Sequence, residues 1–212
     1  MSLIYVCAAF YLIGSVPTAY LLVKYRYGKN LLNEGTGNIG AMNTYDVTHS
    51  RTDGIIVLTI DLLKGLIPVL WFLYISGYPP ESVLIPSVFL LAGHNFSVWL
   101  KFKGGRGLAT GAGMMLAVNF SVVVFWLIFY GILKKTVNNV HIASVIALIM
   151  LPLSVLLLQQ FVLKFSNPVL PDNDDQLRFL FSYCSSICIL ILIRHIDPIT
   201  DFIKNRNLTN KT

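Results

Sequence analysis

Apolar runs of about bilayer length follow one another through almost the whole chain, at about 3–24, 54–77, 82–100, 120–133, 140–163 and 177–196. Each is ended by charge, proline, glycine or asparagine. A hydrocarbon core about 30 Å thick takes roughly 20 helical residues to cross. The pattern therefore predicts an all-α fold, a polytopic transmembrane helix bundle. Composition agrees: 55% of residues are hydrophobic and 12% charged, against roughly 45–50% and 25% in soluble domains. The first run has neither a basic leader region nor a clear small-residue cleavage site, so it is expected to be retained as a span. Cys7, Cys184 and Cys188 all lie inside apolar runs, away from any Cys/His cluster at ligand spacing, so neither disulfides nor a metal centre is expected.

Residues 105–118, Gly-Arg-Gly-Leu-Ala-Thr-Gly-Ala-Gly-Met-Met-Leu-Ala-Val, are short for a crossing but rich in small residues that let a helix pack inside a bundle. Counting them gives about seven spans, with the N-terminus outside and the C-terminus cytoplasmic. The basic residues support that count, because Lys and Arg concentrate in cytoplasmic loops. Lys24, Arg26, Lys29, Arg51, Lys101, Lys103, Arg106, Lys134, Lys135, Arg194, Lys204, Arg206 and Lys211 then lie inside, thirteen of the sixteen Lys plus Arg. Lys164 and Arg178 fall outside, and Lys64 lies within a span. With six spans, everything after Arg106 would be inverted. The expected organisation is a bundle over 1–202, an outside loop over 166–176 and a cytoplasmic tail over 203–212. The net charge of +6 reads as orientation and attraction to anionic lipid, with no need for nucleic acid.

Two inside loops carry chemistry. The first contains Gly35-Thr36-Gly37-Asn38-Ile39-Gly40-Ala41-Met42-Asn43. Its G-x-G-x-x-G string lacks the strand and βαβ unit of a dinucleotide fold. Such glycines still let backbone N–H groups converge on an anion, with Thr36, Asn38 and Asn43 adding side-chain donors; a plain polar turn is the alternative. The second begins at Gly93-His94-Asn95-Phe96 and continues as Lys101-Phe102-Lys103-Gly104-Gly105-Arg106-Gly107-Leu108-Ala109-Thr110-Gly111. Three cations, a Gly-Gly turn and a following helix N-terminus are the parts of a phosphate clamp. Topology alone would explain the cations but not the glycines.

Asp61 and Lys64 lie three residues apart on one helical face of the second span, where an unpaired charge would be costly. They should face the bundle interior, either neutralising each other or meeting a ligand. His94, near the inside end of its span, is a candidate base or donor, with simple hydrogen bonding in place as the alternative. His195 carries the same two readings, whereas His49 and His141 suggest nothing specific.

At these residues the chain resembles the bacterial acyl-phosphate:glycerol-3-phosphate acyltransferases. The resemblance runs through Gly14-Ser15-Val16-Pro17, the Gly35 to Asn43 loop, Asp61-Leu62-Leu63-Lys64-Gly65 and the Gly93 to Thr110 block, in order. It implies a seven-span bundle in the bacterial inner membrane, with its site toward the cytoplasm and no cofactor. It also implies acyl transfer from acyl phosphate to the 1-hydroxyl of glycerol 3-phosphate, giving lysophosphatidic acid and phosphate in phospholipid synthesis. Thr36 stands where the family usually has Ser, Arg106 where it has Lys, Asp46 where its first motif ends in Arg, and Pro198 where its last motif has Asn three residues after the histidine matched by His195.

An acyl phosphate is already activated, so alignment of the hydroxyl and neutralisation of the departing phosphate carry the chemistry. Lys101, Lys103, Arg106, the Gly104–Gly107 segment and His195 are expected to hold phosphate, and Gly35, Thr36, Gly37, Asn38, Gly40 and Asn43 to orient glycerol phosphate or the leaving group. The hydroxyl proton goes either to His94 or to the donor's own phosphate. Two other readings remain: a non-catalytic or altered-substrate homologue that binds a lipid or phosphate, prompted by Asp46 and Pro198, and an anion transporter, disfavoured by the scarcity of intramembrane charge.

Overall fold

The computed structural model describes residues 2–137, 139–196 and 198–200. Lys204, Arg206, Lys211 and the expected tail over 203–212 lie outside the described residues. The chain divides into two compact units, residues 1–118 and 119–212.

In the first unit, α1 (Leu3–Ser15) stops at Val16-Pro17 and α2 (Thr18–Tyr27) completes the first apolar stretch. Proline brings no N–H to the helical ladder, so the chain breaks there and restarts. Gly28, in the left-handed conformation at φ 65°, ends α2. A short α3 (Ala41–Thr48) leads to α4 (Arg51–Ile75), capped by Ser50, whose hydroxyl accepts the Asp53 N–H at 3.2 Å. Helix α5 (Leu84–Asn95) and α6 (Leu108–Val118) complete the unit.

Glycines set its two main helix pairs. A Cβ on Gly14 of α1 would lie 1.9 Å from Leu90 O of α5, and one on Gly93 of α5 would lie 2.1 Å from Tyr11 O of α1. The same reciprocity joins α4 to α6: Gly65 faces Thr110 O at 2.1 Å and Gly113 faces Leu62 O at 2.0 Å. Lipid gives apolar faces little reason to associate, so small residues that let backbones approach supply the packing. Residues 105–107 precede the helix in the segment expected to form the seventh span. The 11 residues of α6 rise only about 16 Å and pack against α4.

The second unit holds α7 (Phe120–Val137), α8 (Val140–Leu157), the one-turn α9 (Gln159–Val162) and α10 (Asn173–Ile193), with α8 packed on both α7 and α10. Across both units, six stretches among the described residues are long and apolar enough to cross a membrane, and α6 is a shorter apolar helix.

Candidate functional site

Two loops of the first unit converge on one small apolar cluster. Ala19 and Val23 of α2, Val57 of α4 and Leu31 and Ile39 of the first loop are buried together, and Leu100 of the second loop packs against them. Burial of aliphatic side chains is the main drive toward such a cluster. At the meeting point a Cβ on Gly105 would stand 2.9 Å from Ile39 O. The turns predicted to share a ligand are therefore neighbours.

The first loop is built around Asn43, which is only 1% exposed. Its Oδ1 accepts the Thr36 N–H at 2.8 Å, and its Nδ2 donates to Glu34 O at 3.1 Å and Asn38 O at 2.9 Å. An amide has two N–H donors, so both are used. This corrects the expectation for Asn43: it organises the loop and has no donor left for a ligand. Two N–H groups of the expected backbone nest are spent within the loop, that of Thr36 on Asn43 and that of Gly37 on Glu34 O at 3.0 Å. Gly35 and Gly37 serve the turn, with φ of 58° and 68°. The Thr36 side chain stays exposed, Asn38 and Gly40 are half-buried, and Gly40 opens α3.

The second loop is anchored at both ends. Ser97 Oγ donates to Ser15 O at 2.6 Å, and Tyr11 Oη donates to Phe96 O at 2.8 Å. Lys101 and Phe102 take left-handed conformations, φ 53° and 62°, in a turn closed by the Phe102 N–H to Ser97 O at 2.8 Å. Lys101 and Lys103 are exposed and Arg106 is half-buried.

The Gly104-Gly105 pair lies flat on the end of α5. A Cβ on Gly104 would meet His94 O at 2.2 Å and Asn95 O at 2.6 Å, and one on Gly105 would meet His94 Nε2 at 2.1 Å. The Gly105 N–H donates to His94 O at 3.0 Å. The expectation that the Gly105 amide holds phosphate is thus corrected: it is spent on α5, and the glycines are there for close approach. His94, 7% exposed, is the wall on which that turn rests. Gly107, φ 84°, accepts the Gly111 N–H at 2.7 Å and starts α6 beside Arg106.

Asp61 and Lys64 form an ion pair at 2.8 Å with side chains 4% and 8% exposed, and Lys64 Nζ also donates to Val16 O at 3.1 Å. Three contacts were not anticipated. Arg26 pairs with the buried Asp53, which also accepts from Tyr27 Oη, tying the end of α2 to the start of α4. Only the Ser50-x-x-Asp53 spacing, a capping signal, hinted at this. Asp46, Arg51 and Lys29 are exposed, and Lys29 Nζ donates to the carbonyl of Val47, next to Asp46, at 3.4 Å. In the second unit His195 is 1% exposed, its Nδ1 lies 2.9 Å from Ile191 O, and its ring packs edge-on against His141 at 6.0 Å. No pattern in the sequence paired those histidines.

A family model described as glycerol-3-phosphate acyltransferase matches residues 4–205. The glycerol-3-phosphate acyltransferase 2 of Moorella thermoacetica is 43% identical over 116 residues, a match covering 55% of this chain and 58% of that protein. The glycerol-3-phosphate acyltransferase of Streptococcus mutans is 35% identical over 206 residues, 97% of this chain and 92% of that one. Among solved structures, PlsY, an integral membrane glycerol 3-phosphate acyltransferase in its glycerol 3-phosphate form, superposes with a TM-score of 0.78 at 26% identity, covering 96% of this chain and 92% of PlsY.

Proposed function

The chain belongs to the glycerol-3-phosphate acyltransferase family, and from that membership we propose that it moves a fatty acyl group from acyl phosphate to the 1-hydroxyl of glycerol 3-phosphate in the bacterial cell membrane. The observation that carries this reading is the apposition of Gly105 and Ile39, which puts the Thr36–Asn38 turn beside the Lys103–Arg106 segment. One supplies neutral polar groups and the other cations, as two phosphorylated substrates require.

The hydroxyl oxygen attacks the acyl carbonyl, the bond from carbonyl carbon to phosphate oxygen breaks, and phosphate leaves with the electron pair. The proton departs on that phosphate, because His94 is enclosed behind the Gly105 turn. Arg106, at the start of α6, meets charge growing on the leaving group, where a fixed cation lowers the barrier most. Lys101 and Lys103, being exposed, draw doubly anionic glycerol 3-phosphate toward the turn. Thr36 Oγ1 and the Asn38 side chain orient the acceptor. The site faces the cytoplasm, and the acyl tail lies among the lipid-facing helices.

Purified protein supplied with acyl phosphate and glycerol 3-phosphate should yield lysophosphatidic acid and phosphate in equal amounts. Absence of product with retained binding of glycerol 3-phosphate would identify a non-catalytic homologue. Phosphate uptake into protein-containing liposomes would instead identify a transporter.

A further inference from the structure

The break at Val16-Pro17 leaves the last carbonyls of α1 without the helical partners they would have in an unbroken helix. In a membrane interior those oxygens need substitutes. Ser15 O receives the Ser97 hydroxyl at 2.6 Å, and Val16 O receives the Thr18 N–H at 3.1 Å and Lys64 Nζ at 3.1 Å. Lys64 is held in turn by Asp61 at 2.8 Å. A pair that only neutralised itself would not need to reach another helix. Here the ammonium bridges α4 to the break between α1 and α2.

What α2 carries makes that point consequential. Ala19 and Val23 form the floor under Leu31, Ile39 and Leu100, and Ile39 O is the atom against which Gly105 sits. A shift of α2 therefore moves the Thr36–Asn38 turn relative to the cationic loop. We infer that Lys64 is a positioning residue for glycerol 3-phosphate, acting through the Val16 carbonyl to fix α2 and the acceptor-binding turn. The inference rests on the acyltransferase reading for its kinetic consequence, but not for its structural one.

The test compares wild type, Lys64→Arg, and the charge-free pair Asp61→Asn with Lys64→Met. The double variant buries no lone charge, so it avoids the cost of stranding one partner. With the tether lost, its KM for glycerol 3-phosphate rises on the order of 10- to 100-fold, the scale of a misplaced binding group, while kcat changes less. Lys64→Arg, which keeps a cationic donor, restores most of the affinity. Amide hydrogen exchange over residues 31–41 reads the same tether without turnover: faster in the double variant, slow in wild type and Lys64→Arg. A double variant with wild-type KM and wild-type exchange overturns the proposal and leaves mutual neutralisation. A loss confined to kcat, with exchange unchanged, also overturns it. If wild type makes no lysophosphatidic acid, the acyltransferase reading fails and the exchange measurement alone decides the tether.

Discussion

Gly105→Ala is the smallest change that separates the two loops. The new methyl carbon would stand 2.1 Å from His94 Nε2, 2.7 Å from its Cε1 and 2.9 Å from Ile39 O. Ordinary contact begins near 3.5 Å, so about 1.4 Å of overlap with the ring and about 0.6 Å with the Ile39 carbonyl must be relieved. His94 is buried and the Gly105 N–H is bonded to its carbonyl, so ring and turn cannot simply swing away. Displacement falls on the Ile39 side, by about 1 Å, a misplacement that costs on the order of 100-fold in rate, or about 2.7 kcal/mol. Overpacking itself costs about 1–3 kcal/mol of stability, so folded protein should still be recovered in detergent. The assay is the initial rate of lysophosphatidic acid formation over a matrix of both substrates. Gly131→Ala is the control: nothing lies within 4 Å of a Cβ there, and alanine favours the helix. A Gly105→Ala enzyme with wild-type kcat/KM would refute the idea that this contact sets the site.

Arg106→Ala should lower kcat on the order of 100-fold or more, as loss of a transition-state donor does, with Arg106→Lys losing less and Lys103→Ala acting mainly on KM; steady-state kinetics at two ionic strengths separate these. Asn43→Ala removes the bonds to the Thr36 N–H and to the carbonyls of Glu34 and Asn38, at about 0.5–1.5 kcal/mol for each bond lost; a lower melting temperature together with a raised KM for glycerol 3-phosphate is expected. Asp46→Arg replaces an exposed anion by a cation near the first loop and should lower that KM, while an unchanged KM would place Asp46 away from the phosphate.

How much of this was legible follows from the range of each interaction. The spans were readable because length and hydropathy are local, but the break at Pro17 inside the run read as 3–24 was not anticipated, because hydropathy continues across it. The start of α6 at Leu108 was not, because Gly104 and Gly105 are committed to α5 by a contact that no local pattern encodes. Glycine explains the misreading: the same residue serves a positive φ at Gly37 and a close approach at Gly105, and sequence does not distinguish the two. Asn43 was misread for a related reason. A side chain rich in donors beside glycines looks equally like a ligand contact or an internal brace, and only the positions of Glu34, Thr36 and Asn38 decide between them. The pairing of His141 with His195 depends on how α8 and α10 pack, which neither stretch reveals alone.

Shape and charge are thus divided between different residues. Gly14 and Gly93 bring α1 and α5 together, Gly104 and Gly105 rest on the end of α5, and Ile39 O lies against Gly105, so a run of backbone contacts connects the first helix to the Thr36–Asn38 turn. Lys101 and Lys103 are exposed and take no part in that run. Cations that also held the fold would have to be desolvated and paired, as Lys64 and Asp61 are, and a paired cation is a weaker attractor for substrate. Leaving the architecture to glycine and aliphatic contact keeps Lys101 and Lys103 at the surface, where the proposed reaction needs cations for its phosphate groups.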